Sequence, residues 1–162
     1  MCDTIHVSTK SDGSWFGKNS DRHPDETQAL VLIDQRPPAI TTRVGGVEFA
    51  KPDRGLAMAL SKPSWMDGGE MGLNAAGVAI GNEAVFSRFG ADKDGPLGMD
   101  ILRAALSASG SAAEARDFIC AFVEEQGQGG NGAYRGKLVY SNSFIVADAV
   151  EAFVVETAGR RW

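Results

Sequence analysis

A cysteine stands directly behind the start methionine, in the opening run Met1-Cys2-Asp3-Thr4. Removal of the methionine, favoured by a small second residue, leaves one residue carrying both a thiol and a free α-amine. Such an amine titrates near ~7.7–8.0 and an ordinary thiol near ~8.5. Near neutral pH the amine can therefore take the thiol proton, so nucleophile and general base belong to a single residue. The chemistry this allows is attack by sulfur on an amide carbonyl. A cysteine at position two is equally compatible with an inert or merely oxidisable thiol, so its meaning depends on what stands opposite. The polar run Phe16-Gly17-Lys18-Asn19-Ser20-Asp21-Arg22 is near enough in sequence to fold back onto it.

Two strands would position these groups. Residues 3–9 alternate, with Ile5 and Val7 on one face and Thr4, His6 and Ser8 on the other, which is the face of Cys2. Asp12-Gly13 predicts a two-residue turn between strands. In that register Asp21 faces Thr4 and comes within about 7 Å of the cysteine's face, while Arg22 and His23 fall beside Asp3 and Cys2. A carboxylate there could hold or orient the α-amine, or could be a solvated strand-end aspartate. The same register sets Lys18 opposite Val7, on the face away from Cys2. His6 lies about 13 Å from Cys2 along the strand, too far for a direct Cys–His pair. His23, across the hairpin, makes a Cys2–His23 dyad a rival arrangement.

Further blocks follow in order. They are Trp65-Met66-Asp67-Gly68-Gly69-Glu70-Met71-Gly72-Leu73-Asn74, then Gly77-Val78-Ala79-Ile80-Gly81-Asn82-Glu83-Ala84-Val85-Phe86. Near the end stand Asn142-Ser143-Phe144-Ile145-Val146-Ala147-Asp148 and Glu156-Thr157-Ala158-Gly159-Arg160. Together with Cys2-Asp3-Thr4 and the run from Gly17 to Arg22, they resemble the secernin-type dipeptidases. These are cysteine peptidases within the N-terminal-nucleophile hydrolases. More distantly the chain is similar to the choloylglycine hydrolases and penicillin V acylases.

The resemblance implies that Cys2 is the nucleophile, freed by loss of Met1, and that Asp21 contacts its amine. It implies that Asn82 donates to the oxyanion and that Asn142 is a second positioning asparagine. A preorganised donor of that kind is worth roughly 10²–10³ in rate; asparagine at a strand end also commonly bonds its own backbone. Lys18 stands where the acylases carry an arginine, keeping the charge but losing the planar fork. Lys18 and Arg22 are the candidates for a substrate carboxylate.

The implied function is hydrolysis of small amides without cofactor or metal, with dipeptides first and N-acyl amides as the alternative. A non-catalytic interaction protein, or an inactive fragment, is the reading from another class. The implied fold is a four-layer αββα sandwich. Family members are longer than this chain, so residues 1–162 would be an N-terminal portion of one hydrolase domain, leaving room for a missing C-terminal portion or a homo-oligomeric partner.

Composition sets outer bounds. At 162 residues and 43% apolar content the chain can bury one core. A net charge of −5 with no basic stripe argues against nucleic acid, and no apolar run approaches the ~18 residues of a membrane helix. The two cysteines, Cys2 and Cys120, make no disulfide framework, which suits a reducing, cytoplasmic setting. Cys120, in an apolar stretch, reads as a buried thiol, and no clustered His/Cys spacing suggests zinc. Gly127-Gln128-Gly129-Gly130-Asn131-Gly132 fits a dinucleotide fingerprint formally, but it follows a helical pattern and opens none, so it reads as a mobile loop.

Beyond the first hairpin, strands are expected at 29–33, 40–44, 56–60 and 78–82. Two helices follow. One has a stripe of Met99, Leu102, Ala105 and Leu106; the other is opened by the capping box Ser111-Ala112-Ala113-Glu114. A last hairpin spans 144–147 and 152–156. Strands and helices segregated in this way give an α+β layered domain.

Overall fold

The structure, a computed structural model, describes residues 2–9 and 13–162. Its elements are β1 (Asp3–Thr9), β2 (Gly13–Asn19), β3 (Gln28–Ile33), β4 (Thr42–Val44), β5 (Val47–Phe49), β6 (Met58–Pro63), β7 (Met71–Asn74) and β8 (Ala79–Val85). Helices α1 (Gly98–Ala108) and α2 (Ala112–Gln126) come next, followed by β9 (Ser141–Ala147) and β10 (Ala152–Glu156). Six strands form one antiparallel sheet in the order β10-β9-β8-β7-β6-β3, while β1–β2 and β4–β5 are separate two-stranded ribbons. Among the described residues no helix is long and apolar enough to cross a membrane.

The period of two in the strands gives the sheet two unlike faces. Leu60, Ile80, Phe144 and Val146 point to one side and pack with Ile101, Leu102, Leu106, Ile119 and Phe122 from the helices, all fully buried. Each such side chain contributes about 1.5–3 kcal/mol by leaving water. Gly72 lets α1 come close, since a Cβ there would lie 2.5 Å from the Leu60 side chain and 2.7 Å from that of Leu106. The capping box at the start of α2 forms. Ser111 Oγ accepts from Glu114 N at 3.2 Å, and the Glu114 carboxylate reaches back to the N–H of Gly110 at 2.8 Å. Asp148, in the β9–β10 turn, accepts from the N–H of Ala112 at 2.7 Å and so ties that turn to the same helix end.

On the other face lies the β1–β2 hairpin. Thr4 donates to the Glu83 carboxylate. A Cβ at Gly81 would crowd Thr4 at 2.8 Å and Phe16 at 3.3 Å, so the hairpin rests directly on β8. It covers only the middle of the sheet. Leu30 and Leu32 on β3 stay 77% and 78% exposed, and Leu73 and Val154 on the same face are exposed too, as are Ile5, Val7 and Trp15 on the hairpin's outer side. Helices, sheet and hairpin thus follow one another. Both helices share one core, and among the described residues no helix covers the hairpin.

The hairpin register differs from the expected one. Thr9 pairs with Gly13, so three residues, Lys10 to Asp12, separate the strand ends in place of a two-residue Asp12-Gly13 turn. Those three lie outside the described residues. Gly13 has a φ of 79°, a conformation that favours glycine. The shift corrects Lys18: it pairs with Thr4, not Val7, and so shares the face of Cys2. Asp21 likewise does not face Thr4. It lies past the last pair, Asp3 with Asn19. Elsewhere β4 begins only at Thr42, leaving Ile40 exposed, and β6 starts at Met58. The short strands β5 and β7 were not expected, because three or four residues with a central charge or glycine show no readable period.

Candidate active site

Where β1 begins, a cavity of about 270 Å³ opens between the segment after β2, the end of β8 and the loop before β9. Cys2, Asp21, Arg22, Asn82, Tyr134 and Tyr140 are among the residues on its wall. Cys2 is half-buried there, immediately ahead of the ladder. Asp21 reaches the same wall because the chain turns off at the end of β2. Hydrogen bonding and nearby positive charge hold the Asp21 carboxyl below its ordinary range.

Beneath them is a network of buried charge. The Arg22 guanidinium grips Glu26 with two parallel bonds, Nε to Oε2 at 2.6 Å and Nη2 to Oε1 at 2.7 Å. It also reaches Glu70 Oε1 at 2.7 Å and the carbonyl of Gly132 at 2.9 Å. Burial opposes the charge on Arg22, but the Glu26 bond and the Glu70 and Glu26 carboxylates outweigh it and raise its pKa. Burial also opposes the charge on Glu26, yet bonds from Arg22 and from Trp65 Nε1 at 2.6 Å hold its carboxyl below the ordinary range. Lys18, with 1% of its side chain exposed, lies 3.2 Å from Glu70 Oε2 and 3.7 Å from Glu83 Oε1, and it donates to Ser20 at 3.0 Å. Both cations proposed for a substrate carboxylate therefore have carboxylates of the protein as partners.

The two asparagines meet. Asn82 Nδ2 donates to Asn142 Oδ1 at 3.1 Å and to the carbonyl of Ser143 at 3.3 Å. Asn142 is fully buried and does not line the cavity. Its Nδ2 donates to Gln128 Oε1 at 2.9 Å, and its backbone N–H to the same oxygen at 2.8 Å. Gly98, at the start of α1, makes room for the pair, since a Cβ there would overlap Asn142 Oδ1 and come within 2.6 Å of Asn82 Nδ2. The backbone N–H of Asn82 donates to the carbonyl of Glu70 at 3.0 Å, which links this pair to the charge network.

His23 shares the cavity with Cys2, but its Nδ1 accepts from the N–H of Asp25 at 3.2 Å, and its ring lies 5.7 Å from that of Tyr134. His6 lines a different cavity, between hairpin and sheet. Cys120 is buried, and burial pushes its thiol pKa up. Among the described residues no group of three His, Cys, Asp or Glu could hold a metal ion. The glycine-rich run after α2 is fastened at several points: Gln128 is buried, Gly129 N bonds Pro96 O at 2.9 Å, and Gly130 N bonds Asp92 O at 2.8 Å.

Glu26, Glu70, Glu83, Tyr140 and Gly132 were not singled out in the sequence. Arg22 and Glu26 are spaced as a helical ion pair would be, yet the chain there is not helical, so helix-based pairing gives no signal. Glu70 and Glu83 sit inside the blocks that carry the resemblance, where no role attaches to either.

No family model matches the sequence. The fold is similar to that of solved structures. Two crystal structures of conjugated bile acid hydrolase from Clostridium perfringens, a mutant and a variant, match at TM-score 0.67 and 14% identity over 98% of this chain. The chain covers 48% of the length of each, about half. The mixed α/β fold is thus shared with these hydrolases over about half of their length.

Proposed function

We propose that the chain carries the nucleophile of a cysteine-dependent hydrolase of small amides, with N-acyl amides as the first substrate class. The observation behind this reading is that Cys2 opens onto a cavity whose wall also holds Asp21 and Asn82. After loss of Met1, the Cys2 amine takes the thiol proton and Asp21 orients that amine. Sulfur then attacks the carbonyl carbon and the carbonyl electrons move to oxygen. Asn82, fixed by Asn142, offers the oxyanion the N–H whose present contact, to Ser143 O at 3.3 Å, is its longer one. Collapse expels the amine, which carries away the proton held by the α-amine. Water next hydrolyses the thioester. Lys18 and Arg22 act here by holding Glu70 in place. A further length of chain, or a partner subunit, completes the cavity, and a reducing cytoplasm keeps Cys2 as a thiol.

Dipeptides are the second substrate class. In favour of them is Arg135, which lines the cavity with an exposed guanidinium 3.1 Å from Asp25 and could turn to a free substrate carboxylate. The deciding experiment is peptide mass mapping after brief, sub-stoichiometric iodoacetamide at neutral pH, followed by N-acyl amino acid and dipeptide panels. Loss of Met1, with Cys2 labelled well ahead of Cys120, is expected. Retention of Met1, or a Cys2 no faster than an ordinary exposed thiol, would sink the reading and leave the interaction protein or inactive fragment.

A further inference from the structure

Tyr140 stands just before β9 and reaches the cavity wall beside Cys2. Its ring is buried, edge-on to Phe86 at 6.2 Å. Its oxygen accepts from the Arg22 guanidinium, but among the described residues the acceptor within reach of its O–H is the Met99 thioether, 3.8 Å away. Sulfur is a weak acceptor, and a buried donor left short of a partner costs stability unless something else meets it. Space at the hydroxyl is kept open by Gly132, where a Cβ would lie 2.5 Å from the Tyr140 oxygen. Gly132 is itself held on both sides, its carbonyl by Arg22 at 2.9 Å and its N–H by Leu138 O at 3.0 Å.

We infer that the Tyr140 hydroxyl is a catalytic hydrogen-bond donor, bonding the substrate's carbonyl oxygen as Cys2 attacks, alongside Asn82. This rests on the hydrolase reading above. The S–C bond forms, the carbonyl π pair moves to oxygen, and the Tyr140 proton stays on the phenol while bonding that oxygen. When C=O re-forms and the C–N bond breaks, the bond relaxes. The donor role agrees with the state of the phenol. Burial first, then the Glu70 carboxylate and the charge of Cys2, outweigh the charge and hydrogen bond of Arg22 and push its pKa up to about 12, so it keeps its proton while the thiol works.

Two reactions of Cys2 separate this role from a structural one. Iodoacetamide alkylates sulfur at a saturated carbon and develops no oxyanion, whereas a small peptide aldehyde, N-acetylglycinal, adds as a hemithioacetal whose oxygen occupies the oxyanion position. Tyr140→Phe is expected to weaken aldehyde binding, and to slow N-acyl amide turnover, on the order of 10²-fold. Its iodoacetamide rate should stay within twofold of the parent. Gly132→Ala, which displaces the hydroxyl without removing it, should do the same, and it serves if Tyr140→Phe fails to fold. Aldehyde binding unchanged in a folded variant overturns the inference. So does an equal loss in both reactions, since that marks a structural tyrosine. If the parent itself binds no aldehyde and Cys2 alkylates as an ordinary thiol, the hydrolase reading fails first and this inference falls with it.

Discussion

Thr4 and Lys18 face each other across the β1–β2 ladder, and both reach down to the same carboxylate of the main sheet, Glu83. Glu83 is therefore the point at which β8 holds the hairpin, and Lys18 extends that hold to Glu70 at 3.2 Å. The strand that follows Cys2 is seated largely by charge and hydrogen bonds.

Lys18→Met should be strongly destabilising. It would leave the Glu83 carboxylate without its cation and Glu70 with Arg22 as its one cation beside the Ser20 hydroxyl, in a place with little solvent. Breaking a buried pair in this way costs about 3–5 kcal/mol. Urea denaturation should show the loss, and adding Glu83→Gln should restore part of it. A midpoint unchanged by Lys18→Met would mean that these charges are hydrated.

Acid should loosen the Arg22–Glu26 clasp. The Glu26 carboxyl titrates below its ordinary value of 4.5 in the fold, so the unfolded chain binds more protons in the window between the two. Its stabilisation is present above the ordinary value and is lost as pH falls through the folded one. Asp100 is raised by burial and contributes the opposite slope. Thermal midpoints from about pH 6 down to about pH 3 should fall less steeply for Glu26→Gln than for the parent; identical slopes would remove Glu26 from the account.

Asn142→Ala should cost about 1 kcal/mol, because it removes two buried side-chain bonds and leaves Asn82 Nδ2 only the Ser143 carbonyl and Gln128 Oε1 only the backbone N–H of residue 142. In the hydrolase reading it should also lower turnover while the iodoacetamide rate of Cys2 stays constant. A variant with lost stability but full turnover would separate Asn142 from the chemistry.

The apolar face left beside the hairpin should be detectable in solution. Leu30, Leu32 and Leu73 lie together on one side of the sheet with no cover. Patches of that kind take up hydrophobic dye and promote association. Leu30→Lys with Leu32→Lys should reduce anilinonaphthalene sulfonate binding and move stability by no more than about 0.5 kcal/mol each. Undiminished dye binding would place the exposed surface elsewhere.

The sequence marked the helices and long strands well, because stripes such as Phe118, Ile119, Phe122 and Val123 and the Ser111 cap act locally. Cys2, Asp21 and Asn82 were named in advance, and the structure places all three on one cavity wall. What local pattern could not carry was register. One residue more in the hairpin loop moved Lys18 to the other face, and a turn-type rule cannot detect that. Nor could it reveal the partners of Arg22 and Asn82, since Glu70 and Asn142 are 48 and 60 positions away. Those pairings come from how the layers stack.

Because β1–β2 belongs to a sheet of its own, no ladder bond ties it to the six-stranded sheet. The strand that follows Cys2 can therefore leave its seat without tearing the core's backbone pairing, at the cost of the contacts around Thr4, Phe16 and Lys18. Amide exchange should record this as one opening unit. β1 and β2 should lose protection together, at a lower free energy than β8 and β9, and that opening should respond little to added salt, because the charges at the seat are buried. In such a molecule the end that carries Cys2 is a detachable part, and its tightness is set by charges the protein keeps away from the solvent.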